Sequence, residues 1–461
     1  MKLTKLYFEN YKAFAGEHEL ELRPLTIIIG RNNSGKSALT RLPLLLRDLV
    51  NSDAGVSTPT PDPATAHQLF HGQPLAGRMK LGWSLDHRDK LLLGYETIRE
   101  DGEQETLLNS IQVDEQKFKA QPIFHKNTDE YTINITIDNL PEKICKTYPG
   151  PINSPHLNQM MMHFDVSSYF RIEGIEDEPD PEAEELVLTY EQRFSSFNEK
   201  IKKLGDISVW PRISHLPAVR DKPSTGAPLT SKTEAKHYYA WSASALFSLS
   251  RNKSPIFDNI RSWFKDNLGG YALEVEQSSE GIELLLRHPE HNTPVHITNT
   301  GAGMGQVLPL IIYCLSQRPA AGAAAPPSAN AAEQAQDRLL IVEEPESHLH
   351  PGAHGALADL FVDLIKTGHH QTIVETHSEV FCLRMQRRVA EDTVKPENVV
   401  IYWVDQDPKL GRSSITPIFI SEKGETYIWR DGKRIRYWPK GVFSEDADEI
   451  RALHELQAAQ R

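Results

Sequence analysis

Two adjacent carboxylates close an apolar run at Leu339-Leu340-Ile341-Val342-Glu343-Glu344-Pro345. Four aliphatic residues in a row suit a strand buried on both faces, as in a parallel sheet. An ionised carboxylate in such a place is costly unless a cation, a proton or solvent meets it. A strand ending in two of them therefore points to metal or proton chemistry, although a strand emerging into a charged turn would give the same letters. A second motif separates the two readings. Gly30-Arg31-Asn32-Asn33-Ser34-Gly35-Lys36-Ser37 is G-x-x-x-x-G-K-S, the loop that cradles phosphate. It follows an apolar, β-branched stretch at residues 25–29 and opens a helical pattern. Strand, glycine-rich turn and helix start together form an anion site, with backbone N–H groups approaching phosphate oxygens. The expected nucleotide-binding set is Gly30, Asn32, Asn33, Ser34, Gly35, Lys36 and Ser37, with Lys36 reaching the β/γ-phosphates and the Ser37 hydroxyl binding Mg²⁺. Glu343 then becomes the expected Mg²⁺ carboxylate and Glu344 the expected general base for an attacking water.

Two further segments follow the same logic. Gln371-Thr372-Ile373-Val374-Glu375-Thr376-His377-Ser378 is another apolar strand ending in polar residues. In a sheet of alternating strands and helices, ligands sit at the carboxyl ends of the strands. His377 is therefore expected to contact the γ-phosphate and orient the water, in the crevice that receives Lys36 and Glu344. Upstream, Asn299-Thr300-Gly301-Ala302-Gly303-Met304-Gly305-Gln306 places three glycines before an apolar helix at residues 307–315, again a candidate anion site.

The elements that must position these residues read as an α/β chain. Short strands at residues 6–11 and 17–22 lead into the phosphate loop, and its helix runs to about residue 50. Strand-like pieces at 79–85, 90–98 and 132–137 suggest an antiparallel lobe. Residues 182–204 carry apolar side chains at helical spacing, read as a short packing helix. A strand within 207–219 would be confined to an edge by Pro211 and Pro217. Helices are expected at 235–249, 256–267 and 353–366, and a hairpin at 272–287. Residues 318–336 are rich in Pro, Ala and Gly and read as an exposed insertion. The resulting division is an N-terminal lobe over 1–100, an inserted α+β and helical region over 101–270, a C-terminal lobe over 271–405 and a small hairpin domain over 406–461.

Composition bounds the function. A chain of 461 residues with 39% hydrophobic and 25% charged residues can bury a large core. No run of eighteen apolar residues suggests a membrane helix, and the first residues lack a signal-peptide core. Cys145, Cys314 and Cys382 form neither a metal spacing nor a disulfide framework, which fits a cytoplasmic location. A net charge of −13 argues against broad non-specific nucleic-acid binding. Much of it sits in one block containing Glu173, Glu176, Asp177, Glu178, Asp180, Glu182, Glu184 and Glu185.

In order, the motifs are phosphate loop, glycine-rich signature, hydrophobic strand with Glu-Glu-Pro, then Thr-His-Ser. This resembles the ATPase head of the ABC/SMC superfamily, in its compact RecF-like and overcoming-lysogenization-defect-like branch. Asn10-Tyr11-Lys12-Ala13-Phe14 resembles the N-terminal element of that branch, and Trp438-Pro439-Lys440-Gly441-Val442-Phe443 resembles a small C-terminal domain of unknown function found in such ATPases. The resemblance covers residues 1–50 and 270–445. It implies a P-loop head with a mostly parallel doubly wound sheet plus an antiparallel lobe, ATP and Mg²⁺ as cofactors, Glu344 and His377 as catalytic residues, Ser37 and Glu343 at the metal, and Ser347-His348-Leu349-His350 as a loop at a dimer interface. It also implies that Gly303, Gly305 and Gln306 reach the nucleotide of a second copy, giving a head-to-head homodimer or larger oligomer. Gly303 stands where many members have Ser, which removes one hydroxyl contact. Some relatives carry a fused Toprim nuclease; Asp405-Gln406-Asp407 resembles half of such a site but too few residues follow to build it, so residues 400–404 are read as a closing strand and the aspartates as a solvated turn.

The hairpin expected at residues 425–439 interleaves Tyr427, Trp429, Tyr437 and Trp438 with Arg430, Lys433, Arg434 and Arg436. It could grip a nucleic-acid strand, or pack its aromatics on the body and leave its bases in solvent. Arg384, Arg387 and Arg388 are a second basic cluster with a candidate phosphate role. The function expected from the whole is an ATPase that dimerises through its heads and regulates a separate effector, such as a nuclease or toxin in phage defence, with the defence context implied by the resemblance. The alternatives are a DNA-repair ATPase that binds DNA directly and a nucleotide-gated scaffold with little hydrolysis.

Overall fold

The computed structural model describes residues 1–51, 68–72, 77–87, 90–100, 103–113, 118–124, 130–137, 144–149, 195, 199–200, 203–220, 238–279, 281–288, 290, 293–317 and 336–439. The expected packing helix at 182–204 and the insertion at 318–336 fall almost wholly outside these residues.

In chain order the strands begin with β1 (Leu3–Tyr11), β2 (Phe14–Glu21), β3 (Leu25–Gly30), β4 (Gly77–Leu85), β5 (Lys90–Glu100), β6 (Glu103–Val113), β7 (Phe118–Phe124), β8 (Glu130–Ile137) and β9 (Ile144–Pro149). They continue with β10 (Arg212–Leu216), β11 (Ala272–Ser278), β12 (Gly281–Arg287), β13 (Val295–His296), β14 (Arg338–Glu343), β15 (His370–Glu375), β16 (Val399–Asp407), β17 (Arg412–Ile420), β18 (Thr426–Arg430) and β19 (Lys433–Arg436). The helices are α1 (Lys36–Thr40), α2 (Leu42–Asn51), α3 (Tyr238–Arg251), α4 (Pro255–Asn267), α5 (Ala302–Ser316), α6 (Pro351–Ile365) and α7 (Glu379–Ala390).

The chain divides into two compact units. The first takes Met1–Leu22, Asn33–Pro211 and Gln406–Ser414. Its sheet runs β2-β1-β4-β5-β6-β7-β8-β9, and the pairings along it are antiparallel. The expected antiparallel lobe is thus present and longer than the sequence suggested: β6, β7 and β9 gave no readable signal. One face is pinned by aromatic packing, with Phe8 edge-on to Tyr11 and Phe14 and stacked on His18. Trp83 and Trp210 are fully buried and edge-on, and both indole N–H groups donate to the Leu204 carbonyl at 3.1 Å.

The second unit takes Arg23–Asn32, Arg212–Asp405 and Ile415–Arg461. Its main sheet runs β10-β14-β15-β3-β16-β17-β18-β19. The first five strands are parallel, and β17, β18 and β19 pair antiparallel. β3 and β15 are buried along their whole length and β14 from Leu339 onward, which is why their apolar residues read as continuous runs rather than alternating ones. A smaller antiparallel sheet, β11-β12-β13, belongs to the same unit. The core joins Ile27, Ile29, Leu340, Val342, Val374 and Ile401 of the parallel strands to Leu308, Ile311 and Ile312 of α5 and to Leu357 and Phe361 of α6.

Three expectations change in detail. Residues 302–306 already lie in α5, so the glycine-rich signature is the first turn of the helix and not a loop before it. The helix after the phosphate loop breaks at Arg41 into α1 and α2. Residues 405–407 end β16 instead of forming a turn, and that strand lies beside β3 inside the sheet.

Candidate functional site

Three sequence-predicted strand ends meet at one end of the parallel sheet of the second unit. Glu343 is level with Glu375, and Glu375 with Ile28, two residues before β3 ends at Gly30. The backbone continues the step: Glu344 N–H donates to the Glu375 carbonyl at 2.8 Å and Thr376 N–H to the Ile28 carbonyl at 3.1 Å. The residues that follow each strand therefore leave from the same edge of the sheet, as parallel strands with helical returns require.

The paired carboxylates have different surroundings. Glu343 is buried at 1% exposure; its Oε1 accepts from His215 Nε2 at 2.9 Å and its Oε2 from the Ala218 N–H at 3.4 Å. Glu344 sits at φ 44°, a left-handed conformation rare for a residue with a side chain. That turn brings its carboxylate to the surface, where Oε2 accepts from Ser347 Oγ at 2.8 Å and Oε1 lies 4.0 Å from His377 Nε2. The neighbouring Glu346 is buried, and its Oε1 accepts from the His377 backbone N–H at 2.6 Å. Burial raises its carboxyl above the usual range, more than the His377 N–H lowers it.

Arg220 binds this cluster to the signature helix. The guanidinium is buried, donating from Nη2 to the Glu343 carbonyl at 2.9 Å and from Nη1 to the Gln306 carbonyl at 3.2 Å. Burial lowers its pKa from the ordinary range, opposed by the charges of Glu346, Glu343 and Glu344 and by Tyr238. The Gln306 side-chain oxygen is buried without a hydrogen-bond partner among the described residues. Two helices are fixed by their caps around the same loop. His350 Nδ1 accepts from the Gly352 N–H at the start of α6, and Ser378 Oγ accepts from the Phe381 N–H at the start of α7. His354 spans them, with Nε2 at 3.3 Å from the Leu349 carbonyl and Nδ1 at 2.8 Å from Ser378 Oγ. Burial lowers its pKa, favouring the neutral ring. Since a carbonyl can only accept, Nε2 carries the proton and Nδ1 accepts from Ser378.

Gly303 has a steric reason. A Cβ there would lie 2.3 Å from the His348 carbonyl oxygen and 2.9 Å from Leu349 Cδ2. His348 itself is held at φ 65°. The absent signature serine, read from sequence as a lost hydroxyl contact, reflects close backbone packing of the α5 first turn on the 347–350 loop. Gly305 is buried one residue before Gln306.

Of the phosphate loop, Gly30 and Asn32 are counted in the second unit and Asn33, Ser34, Gly35, Lys36 and Ser37 in the first. Asn33 is at φ 63° and Gly35 at φ 95°. A Cβ on Gly35 would meet the Phe14 ring at 3.0 Å, so glycine is required for backbone and space alike. Asn32 and Asn33 are exposed, Lys36 is buried, and the Ser34 hydroxyl is buried with no hydrogen-bond partner among the described residues. The helix that follows, α1, has only five residues, so any anion affinity rests on the loop N–H groups and Lys36 more than on a long helix dipole.

The second basic cluster has a structural job. Asp359 on α6 takes Arg388 in a bidentate pair at 2.6 and 2.7 Å and Arg384 at 2.7 Å, while Glu391 takes Arg387 and Arg388. Arg384 and Arg388 clamp α6 to α7, while Arg387 pairs with Glu391 at the end of its own helix.

A family model described as "AAA ATPase domain" matches residues 1–214 and 189–382. The chain belongs to the AAA ATPase domain family. No curated protein matches it in sequence. Among solved structures it is similar to the SMC head domain from Thermotoga maritima, at 12% identity and TM-score 0.37, covering 90% of this chain and 99% of that one. It is also similar to an Smc head domain with an extended coiled coil, bound to the C-terminal domain of ScpA and derived from Pyrococcus furiosus, at 13% identity and TM-score 0.39, covering 91% and 96%. The expected architecture, an α/β ATPase with an antiparallel sheet and a mostly parallel one, is the one found; its placement in the ABC/SMC superfamily rests on the motifs. The narrower RecF-like subtype and the C-terminal domain of unknown function rest on their motifs alone.

As an AAA ATPase the chain is expected to take nucleotide and a divalent cation. No group of three or more His, Cys, Asp or Glu is arranged to hold a metal among the described residues. The two metal ligands expected from sequence, the Ser37 hydroxyl and the Glu343 carboxylate, are hard oxygens of the kind that Mg²⁺ takes beside phosphate and water. Sequence reasoning missed His215, Arg220 and Glu346. The signal for Glu346 was present in Glu-Glu-Pro-Glu; His215 and Arg220 stood between prolines with no motif around them. No helix among the described residues is long and apolar enough to cross a membrane.

Proposed function

We propose that this ATPase binds MgATP on the loop between Gly30 and Ser37 and hydrolyses it with Glu344 as general base. The observation that carries the reading is the divergence of the two glutamates. Glu343 is buried and hydrogen-bonded to His215, whereas Glu344 is turned out of the strand beside His377. In this mechanism a Glu344 carboxylate oxygen takes a proton from water as the water oxygen attacks the γ-phosphorus. The bond to the β-phosphate oxygen breaks, leaving ADP and phosphate. His377 orients the water and the γ-phosphate; Ser347 and the Glu346 contact to the His377 backbone keep the two side chains in register. Lys36 and the loop N–H groups hold the phosphates, and Ser37 and Glu343 hold Mg²⁺, which when bound neutralises charge on the β/γ oxygens.

The functional unit in this reading is a pair of heads, with Gly303, Gly305 and Gln306 of each copy facing the nucleotide of the other. The pair's cycle regulates a separate effector, such as a nuclease or toxin, in cytoplasmic anti-phage defence. Order and type of motif support that part.

Phosphate release, nucleotide titration and light scattering test it. Glu344→Gln should lower turnover by roughly a hundredfold or more while ATP affinity persists, and ATP should then convert monomer to dimer. Lys36→Ala should lose ATP binding in calorimetry. Undiminished turnover in Glu344→Gln removes the general base, retained affinity in Lys36→Ala removes the phosphate loop, and an ATP-bound monomer removes the head pair.

A further inference from the structure

The last three strands of the second unit carry a surface that the ATPase site does not use. Cross-strand pairs sort its residues by face. Phe419 is opposite Tyr427, Tyr427 opposite Arg436 and Trp429 opposite Arg434, so these side chains share one side of the sheet. The other side takes Ile418, Ile420, Ile428 and Ile435. Ile418 and Ile420 are buried in the core and Ile428 packs against it. Of the two outcomes open to the hairpin, aromatics packed on the body is therefore not the one found for Tyr427 and Trp429. Ile418, Ile420 and Ile428 meet the core, as do Tyr437 and Trp438 beyond the hairpin, while Phe419, Tyr427 and Trp429 lie on the opposite side of the strands.

The outward face is an alternation of rings and guanidiniums. Arg23 lies 4.9 Å from the Phe419 ring centroid, Phe419 is 5.7 Å from Tyr427, and Tyr427 is 5.9 Å from Trp429. Arg434 lies over both Tyr427 at 4.8 Å and Trp429 at 5.3 Å. Trp429 is 49% exposed, and Arg430, Lys433, Arg434 and Arg436 are all exposed. None of those four cations forms an ion pair among the described residues, although the whole chain carries −13. A charged edge strand protects a sheet from adding further strands, but charge of either sign would do that. Protection explains neither the uniform sign nor three aromatic rings held in a row off the core.

We propose that this face of β17, β18 and β19 binds single-stranded nucleic acid, with bases stacked on Trp429 and Tyr427 and phosphates on Arg434 and Arg436. Bases in a duplex already stack on one another and offer no ring face to Trp429, whereas an unpaired strand offers both ring faces and phosphates. Arg430 and Lys433, opposite one another at the hairpin tip, belong to the isoleucine side and stand outside this path.

The test uses the full chain with fluorescein-labelled oligo-dT and oligo-rU of twelve nucleotides, a blunt duplex of equal length and a poly-glutamate peptide, read by anisotropy at two salt concentrations. One or both single strands should bind, with affinity falling as salt rises and exceeding that for duplex and peptide. Trp429→Ala should weaken single-strand binding by roughly five- to a hundredfold, the double variant Arg434→Ala with Arg436→Ala should flatten the salt dependence, and both variants should keep wild-type ATP turnover. Equal binding by Trp429→Ala, equal or tighter binding of duplex or poly-glutamate, or no binding of either single strand overturns the assignment. None of these readouts depends on how ATP is hydrolysed.

Discussion

The main sheet of the second unit has two edges, and they solve the same problem in opposite ways. At one edge β10 is five residues long and flanked by Pro211 and Pro217, which stop it from templating another strand. At the other, β19 is four residues long, all exposed, three of them basic. Each edge places an arginine in a decisive position. Arg220, just beyond β10, is buried and donates to the carbonyls of Glu343 and Gln306. Arg434, on β19, lies over two rings in solvent. The first guanidinium has exchanged water for backbone oxygens and nearby carboxylates, so it has one geometry. The second has kept its water, so it remains available to a ligand.

The largest expected effect lies at the buried edge. Arg220→Ala removes two hydrogen bonds and leaves Glu343 and Glu346 buried without their compensating charge. Breaking such an arrangement costs about 3–5 kcal/mol, read as a lower midpoint in urea unfolding. The raised pKa of Glu346 makes part of this loss pH-dependent. A carboxyl raised by burial contributes stability below its unfolded value and loses it as pH rises through the folded one. The deficit of Arg220→Ala should therefore shrink as pH is lowered toward the range where Glu346 takes a proton. A deficit independent of pH would detach Arg220 from Glu346.

A smaller effect is expected where the signature helix meets the 347–350 loop. Gly303→Ser supplies the hydroxyl that many relatives carry, and on the resemblance alone it should improve the site. The structure reverses the sign: the new Cβ meets a carbonyl oxygen at 2.3 Å, and backbone cannot yield as a flexible side chain can. Overpacking of this kind costs about 1–3 kcal/mol. Both stability and turnover should fall, and Gly303→Ala should reproduce the stability loss, since the clash belongs to Cβ and not to the hydroxyl. If serine raises turnover without loss of stability, the loop moves aside and Gly303 is a simple substitution.

The two edges also differ in how they were legible from sequence. The β18–β19 hairpin could be read directly: Asp431 and Gly432 both adopt positive φ, at 52° and 71°, as the Asp-Gly turn predicted. Its face assignment could not, because alternation alone does not say which side meets the core. The phosphate loop, the Glu-Glu strand and the Thr-His-Ser strand were legible for a local reason: each joins a buried run to polar residues within a few positions. His215 and Arg220 were not, because their partners lie 128 and 123 residues away. The carboxylate partner of the α7 basic cluster was hidden in the same way, since Asp359 lies 25 residues before Arg384.

The smallest effect is expected at the exposed edge and is the sharpest test of the contrast. If Arg434 serves the fold, removing it should cost as a buried arginine does. Among the described residues it has ring contacts but no carboxylate and no buried carbonyl. An exposed cation–π pair contributes about 0.5–1 kcal/mol, and the neighbouring unpaired cations repel it, which offsets part of that. Arg434→Ala should shift the unfolding midpoint by no more than about a third of the Arg220→Ala shift. A loss comparable to Arg220→Ala would mean that the β19 edge, too, is held together by its arginine, and the division between a structural edge and a binding edge would fail.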